Sequence, residues 1–354
     1  MKRIGWARTS PQSARHYRVC AGGGGGRVLD STVLDSEMVE SVHPFFQFAA
    51  VASEGMGQRQ RERDAELIAA AWDNDVERAR QLIAKGADVN AKDSTQQSAF
   101  LIATSEGYGE LLALTFEHRA DVRSLDSYNG TGPIRAAERG HAMVVGRLLR
   151  EGIDPNHVNR LGWTALHEAI ILGKGDDRHV DTVRLLVAGG ADLTLRSTRD
   201  GVLPLAHAES HRQTAIAMTL GAALESNGSA DANTDLLAAA GTGDPDAVAI
   251  ALRQGADIEA RDSRARTPLL LAVENDHVAA ARPLVAFGAD PNVGDAQHDT
   301  PWLVTGVTEA SRWSKCCCPP SSPSRSAIAS VASRSSRQAS GAMSTTCDGS
   351  RRSA

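Results

Sequence analysis

Three consecutive cysteines, Cys316–Cys318, are the residues with the most obvious chemical potential in this 354-residue chain. Thiolates bind zinc, but a zinc site needs further Cys or His ligands at characteristic spacings, and none accompanies this run. The two other cysteines, Cys20 and Cys347, lie near opposite ends of the chain, and the long middle has none. We therefore predict neither a metal site nor a disulfide framework.

Two further patterns could bind nucleotides or ions. Gly22–Gly26 form a glycine run, but it lacks the Lys and the Ser or Thr that follow in a phosphate-binding loop. Asp176 and Asp177 are adjacent, whereas calcium loops place their carboxylates at alternate positions. Because no nucleophile and base recur together either, we predict no cofactor and no catalytic residues.

Charge and hydropathy exclude two classes of partner. Lys and Arg total 38 against 43 Asp and Glu, a net charge of −5, and no block of like charge dominates the middle of the chain. This balance predicts no nucleic-acid binding. No apolar stretch approaches the roughly 18 to 20 residues needed to cross a bilayer, so no membrane span is expected.

A short phrase that contains Gly-Ala-Asp, or Arg-Ala-Asp or Gly-Ile-Asp in its place, recurs along the chain. Its aspartates are Asp88, Asp121, Asp154, Asp192, Asp257 and Asp290. Three of the separations between neighbouring aspartates are 33 residues, and the step from Asp154 to Asp192 is 38, one period with a five-residue insertion. A fixed period of this length indicates a repeat architecture.

Each period has the same internal order of predicted elements. In the unit that begins at Gly162, Thr164 opens a short helix, and the apolar spacing from Val180 to Val187 predicts a second helix with one buried face. Gly189 and Gly190 then end that helix before a polar bend. Each unit is therefore predicted to be a helical hairpin followed by a bend.

The helix starts carry a recognisable signature. Thr164-Ala165-Leu166-His167, Thr267-Pro268-Leu269-Leu270 and Thr300-Pro301-Trp302-Leu303 are similar to the TPLH motif, and the chain therefore resembles the ankyrin-repeat family. The resemblance implies an all-α fold, a solenoid of stacked helix-turn-helix units with projecting bends. It also implies that His167 braces neighbouring backbone and has a structural rather than a catalytic role.

Two units lack this helix start, residues 65–71 and 234–240, and each is predicted to cap a separate module. The first ankyrin module is expected over 63–223, with about five repeats, and a small polar linker over 224–230. The second module is expected over 231–307, with about three repeats, the last incomplete. Residues 1–62 receive no fold and are expected to be disordered.

Residues 308–354 have two interpretations. Their Ser, Arg, Pro and Cys composition predicts a disordered tail. Alternatively, the tail is an ankyrin repeat read out of frame, because a one-base shift turns the cysteine run into Leu or Phe and residues 339–343 into Glu-Arg-Gly-His-Val. Residues 138–141 spell the same Glu-Arg-Gly-His in the open frame, 38 residues after Phe100, and the hidden copy begins 38 residues after Trp302. The nucleotide sequence across residues 300–354 decides between the two.

The resemblance implies a non-enzymatic protein-protein interaction module or scaffold that binds its partner through the concave face and the bends. Exposed aromatic residues and arginines anchor most interfaces. The expected partner-binding residues are Tyr128, Asn129, Arg160, Leu161, Trp163, Arg199, Arg264 and Arg266. The partner is expected to be a protein of unknown identity, and the chain a cytoplasmic monomer.

Two alternatives stay open. The Ala50–Ala52 tract is similar to a signal cleavage site, so the protein could be a periplasmic or secreted effector that acts on a host or envelope partner. A mature N-terminus after Ala52 would indicate this. The array could also deliver an enzymatic activity located in residues 1–60 or 308–354, although neither segment has the apolar pattern of a catalytic domain.

Overall fold

The computed structural model describes residues 57–226, 228 and 230–307. The predictions for the glycine run, the five cysteines and the tail lie outside these described residues. Within them, every regular element is helical and no strand occurs, which confirms the all-α prediction.

The helices occur as successive pairs, in which a first helix is followed after a short link by a second. The bounds are α1 57–72, α2 Val76–Ala84, α3 Ala99–Glu106, α4 Gly109–Glu117, α5 Gly132–Glu138, α6 Ala142–Arg150, α7 Ala165–Ile171, α8 Asp177–Ala188, α9 Pro204–Ser210, α10 Thr214–Glu225, α11 Ala232–Thr242, α12 Pro245–Arg253, α13 Pro268–Glu274, α14 Val278–Ala286 and α15 Pro301–Val307. We call α1–α10 the first stack and α11–α15 the second stack.

Two segments differ from the sequence prediction. Residues 57–62, predicted to lack a fold, are part of α1, where Gln60 bonds the side chain of Asp64 at 2.8 Å and the carbonyl of Gly86 at 2.8 Å. These polar bonds stabilise the first part of α1, which has no periodic apolar residues from which a helix could be predicted. Leu224 and Glu225, predicted to belong to the linker, form the last turn of α10.

The TPLH-like motifs cap the first helices of their repeats. The Thr164 hydroxyl bonds His167 Nδ1 at 2.9 Å, and the Thr267 hydroxyl accepts from the backbone N–H of Leu270 at 3.2 Å. His167 is almost fully buried, and burial, with His207 nearby, lowers its pKa to about 4. The side chain is therefore a neutral structural cap at ordinary pH.

The two stacks pack back to back through their second helices. Helix α12 lies against α8 and α10, and α14 lies against α6 and α8, so the second stack runs in the reverse direction along the first. Gly146 permits the approach of α6 and α14, because a Cβ there would lie 2.7 Å from the Cβ of Ala286. The sequence predicted a break between modules but not this contact.

A network of charged side chains crosses this interface. Asp246 of α12 accepts from Arg184 Nε of α8 and from the Thr219 hydroxyl of α10, each at 2.7 Å. Asp181 of α8 accepts from Arg184 Nη1 at 3.0 Å and from Arg282 Nη1 of α14 at 2.6 Å. The four side chains therefore alternate in charge, with Arg184 and Asp181 on the first stack and Asp246 and Arg282 on the second. The exposed fractions of Arg184, Asp181 and Asp246 are 17%, 12% and 31%.

Candidate functional site

The bends between successive repeats share one turn geometry. In the bend after α4, Asp126 Oδ1 accepts from the backbone N–H groups of Tyr128 and Gly130 at 2.8 and 2.7 Å. This pattern is an Asx turn, in which a side chain replaces a backbone acceptor. Four more residues accept from the backbone N–H groups two and four residues later through their Oδ1 atoms, namely Asp93, Asn159, Asp262 and Asp295. The bends are therefore ordered loops.

Each of these five turns places its fourth residue in the left-handed region. Asn129 has a φ of 60° and Gly162 a φ of 85°, and both residue types tolerate this conformation. Ala265 occupies the same position with a φ of 62° and has no side-chain bond to compensate the Cβ clash. Strain is therefore expected in the loop of the second stack.

Replacing Ala265 with Gly is expected to raise the free energy of unfolding by about 0.5–1 kcal/mol, because relief of the left-handed strain exceeds the entropy cost of glycine. Urea unfolding measures the change. Ser263→Gly is the matched control, since Ser263 lies in the same loop with a negative φ and should lose stability. Equal effects of the two substitutions would contradict the assigned strain.

Four of the predicted binding residues form a continuous surface on three neighbouring loops of the first stack. Tyr128 is 54% exposed at a loop tip, and its carbonyl accepts from the backbone N–H of Arg160 at 2.8 Å. In the next loop the Arg199 guanidinium lies 5.5 Å from the ring centroid of Trp163, a cation–π contact. We call Tyr128, Arg160, Trp163 and Arg199 the loop strip.

Two more predicted residues, Asn129 and Leu161, lie in the loops of the loop strip but are half-buried. Asn129 is half-buried, and its amide nitrogen lies 3.1 Å from His157 Nε2. The backbone N–H of Leu161 donates to Asn159 Oδ1 at 2.9 Å, and the Leu161 side chain is half-buried. Both residues therefore stabilise the conformation of the loops and expose little side-chain surface to a partner.

Arg264 and Arg266 lie in a loop of the second stack. Arg266 forms ion pairs with Asp262 at 2.7 Å and with Glu274 at 2.9 Å, so its charge is neutralised within its own repeat. Arg264 is exposed, and its carbonyl accepts from the backbone N–H of Ala296 in the following loop. Their contacts tie these two residues to the second stack rather than to the loop strip.

A cation that was not predicted as part of the site recurs at one position of the repeat. Lys92 Nζ donates to the carbonyl of Leu125 at 2.7 Å, Arg196 Nη1 to that of Gly201 at 2.8 Å, and Arg261 Nη1 to that of Gly294 at 3.1 Å. All three lie four residues after the repeated aspartate. That spacing was the signal that could have found Arg196 and Arg261.

A buried carboxyl positions one of the loops. Asn159 Nδ2 donates to Glu168 Oε1 at 2.6 Å, while Asn159 Oδ1 holds the backbone N–H groups of Leu161 and Trp163 at 2.9 and 3.0 Å. Burial raises the pKa of Glu168 to about 7. The sequence signal for this buried carboxyl was the position of Glu168, because the repeat that begins at Thr267 has the apolar Leu271 at the same position of its first helix.

The described ranges contain no group of three or more His, Cys, Asp and Glu side chains arranged to hold a metal. Asp176 instead caps α8, and its bond to His179 Nδ1, at 2.6 Å, holds the pKa of Asp176 near 2. None of the helices in the described part of the chain is long and apolar enough to cross a membrane.

The ankyrin-repeat family model with three copies matches residues 67–159 and 134–227, and the single-repeat model matches residues 265–296. Together these matches cover more than half of the 354 residues.

The chain is 36% identical over 111 residues to the ankyrin repeat protein named YahD of Escherichia coli (strain K12), covering 31% of this chain and 55% of that protein. It is 31% identical over 198 residues to a Caenorhabditis elegans homologue of transient receptor potential cation channel subfamily A member 1, covering 55% of this chain and 16% of that protein. It thus spans about half or less of these curated relatives. A crystal structure of an ankyrin repeat domain from Acinetobacter baumannii AYE is 45% identical and covers 44% of this chain and 78% of that one, with a TM-score of 0.42.

Proposed function

Because the chain belongs to the ankyrin-repeat family, we propose that it binds a protein partner through the loop strip of its first stack. Ankyrin repeats are a protein-protein interaction module and are generally not enzymatic. The core of each repeat is used for stacking, which leaves the bends and the concave face for recognition.

One observation carries the proposal, the continuity of the loop strip. Tyr128 and Arg160 are joined by a backbone hydrogen bond, and Arg199 lies over the ring of Trp163. Aromatic and arginine side chains dominate the energy of protein interfaces, since they bury a large area and keep a polar group for hydrogen bonding. Loops ordered in advance also lose less entropy on binding.

Site-specific photocrosslinking in cells tests the proposal. A photoreactive phenylalanine analogue at Tyr128 is expected to give a discrete crosslinked product. The same analogue at Met218, which is 67% exposed on α10, is the matched control and should give none. An Arg160→Ala substitution should abolish the product at position 128. Equal crosslinking from both positions would reject the loop strip as the binding surface.

A further inference from the structure

The outer face of the first unit of the second stack carries an apolar groove. It lies between α11 and α12, has a volume of about 410 Å³, and is also lined by Ser226, the residue after α10. Its floor consists of small or branched apolar side chains, namely Ala238, Ala239, Ala247, Ile250 and Ala251. Asp235, in the first turn of α11, and Asp244, which caps α12, line it as well. Because α11 and α12 form a hairpin, these two carboxylates lie toward opposite ends of the groove. We call it the cap groove.

The equivalent face of the first stack is covered by an ion pair. Helices α2 and α12 are both nine residues long and begin directly after a capping aspartate, so Arg78 is equivalent to Ala247. Glu66 and Asp235 each precede that capping aspartate by nine residues. Arg78 lies 3.9 Å from Glu66. The second stack thus keeps the acidic residue of this pair but has alanine in place of the cation.

Two further positions of the cap groove are less polar than their equivalents. In the same register, Ile250 replaces Gln81 and Gln254 replaces Lys85. The outer unit of a repeat array needs a polar outer face when that face meets solvent. The first stack meets this requirement, whereas the second stack exposes an apolar floor between two acidic residues.

The segment around the cap groove is acidic. Residues 213–252 contain five Asp and Glu but no Lys, Arg or His. Asp246 is paired with Arg184 of the first stack at 2.7 Å. Glu225, Asp235 and Asp244 are exposed, and they take part in no ion pair within the part of the chain that the structure describes.

The ends of the neighbouring helices add to this negative potential. Neither α10 nor α11 has a basic residue in its last turn, so the negative ends of their dipoles are not compensated there. Arg253 in the last turn of α12 donates to the carbonyls of Val187 and Ala191 in the first stack, and it does not line the groove. A ligand of the cap groove therefore meets apolar side chains and uncompensated negative charge.

We propose that the cap groove binds a basic amphipathic helix of a protein partner. The apolar side of this helix packs on the alanine floor, and its Lys or Arg side chains pair with Asp235 and Asp244. One of these cations takes the place that Arg78 occupies in the first stack. The cap groove is separate from the loop strip, so this inference does not rest on the proposed function.

The fold of the second stack favours a helix as the ligand. The equivalent outer face of the next unit, formed by α13 and α14, is covered by α11 and α12. The cap groove therefore has the shape that receives packed helices elsewhere in the same stack. From Asp235 to Thr242 it extends over seven residues of α11, about 10 Å, which matches two turns of a bound helix. Alanine side chains also permit an interaxial distance at the short end of the usual range of about 8–10 Å.

Charge argues against the other classes of ligand. A symmetric contact of two copies through this groove would bring Asp235 and Asp244 of both copies together, and like charges oppose such a contact. The same carboxylates repel nucleic acids and anionic membranes.

Fluorescence anisotropy of the full chain with labelled peptides tests the inference. The probe is a helical peptide of about fourteen residues, four turns, with Ala and Leu on one face and Lys on both sides of that face. The comparison peptide has the same composition in an order that forms no apolar face. We expect the amphipathic peptide to bind about tenfold more tightly, with an affinity that falls as salt rises.

Ala247→Arg gives the second stack the cation that Arg78 supplies in the first stack. We expect it to pair with Asp235, cover the groove and lower the affinity for the amphipathic peptide at least about tenfold. Asp235→Asn, an exposed change, should lower the affinity about threefold to fivefold. The matched control is Ala65→Arg, which adds the same charge at an exposed alanine of α1 and should change the affinity less than about twofold.

Three results of the binding experiment would overturn the inference: equal binding of the two peptides, no binding of either, or an affinity that Ala247→Arg leaves unchanged. Sedimentation of the chain without peptide adds a further test. A wild-type dimer that Ala247→Arg dissociates would assign the groove to a second copy and would also overturn the inference.

Discussion

Replacing Asp246 with Ala is expected to lower the free energy of unfolding by about 2–3 kcal/mol, because it breaks a partly buried ion pair between the two stacks. The change leaves the Arg184 guanidinium of α8 with only Asp181, and it removes one of the two acceptors of the Thr219 hydroxyl, which keeps the Ala215 carbonyl at 3.1 Å. Breaking a buried ion pair costs about 3–5 kcal/mol, and the value here is lower because Asp246 is 31% exposed. Urea unfolding at neutral pH measures the loss.

The control is Asp73→Ala, an exposed aspartate after α1, which should change stability by less than about 0.5 kcal/mol. Hydrogen exchange adds a local test, because amides of α8 and α12 should exchange faster in Asp246→Ala while those of α3 and α5 stay protected. A loss spread evenly over both stacks would show that Asp246 does not act through their interface.

Replacing Glu168 with Gln is expected to stabilise the protein by about 2–3 kcal/mol at pH 8. In the folded chain the pKa of Glu168 is raised from 4.5 to about 7, so the folded state holds a proton that the unfolded state has released. Stability is therefore lost as pH rises from about 4.5 through 7. Each pKa unit corresponds to about 1.4 kcal/mol, and glutamine removes this loss while it keeps an acceptor for Asn159.

His167 has the opposite effect on the pH dependence. Its pKa falls from 6.5 to about 4 on folding, so its contribution to stability grows as pH rises from about 4 to 6.5. In the wild-type chain the two contributions oppose each other over most of this range. We expect Glu168→Gln to reveal the His167 contribution as a rise of stability between pH 4 and 6.5 that the wild type lacks.

Thermal and urea unfolding from pH 4 to pH 8 of the wild type and Glu168→Gln test this expectation, with the exposed Glu209→Gln as control. Other groups titrate equally in the two proteins, so the difference between them isolates Glu168. A difference that does not vary with pH would mean that the buried carboxyl does not titrate in this range.

The sequence predicted the repeats well because their signals are local. The 33-residue spacing from Asp88 to Asp121 and the cap at Thr164 each arise within a single unit or between adjacent units. The interface between the stacks depends on pairs such as Arg184 and Asp246, which lie 62 residues apart and have no periodic relation. Gly146 also has no distinctive local pattern, since it lies inside an otherwise ordinary helix.

The candidate site was predicted in part. Tyr128, Arg160, Trp163 and Arg199 follow from the family pattern of variable bends, and the structure brings them together on adjacent loops. The bond between Asn159 and Glu168 escaped prediction because it joins a turn residue to a helix residue through side chains alone.

Packing of the second stack on the first restricts how this protein can change length during evolution. In an open array each unit contacts only its neighbours, so duplication or loss of one unit leaves the others intact. Here a duplication between α6 and α8 would move Gly146 away from Ala286 unless the second stack gained a unit at the matching place. The number of repeats in the two halves is therefore expected to change in concert among descendants of this gene.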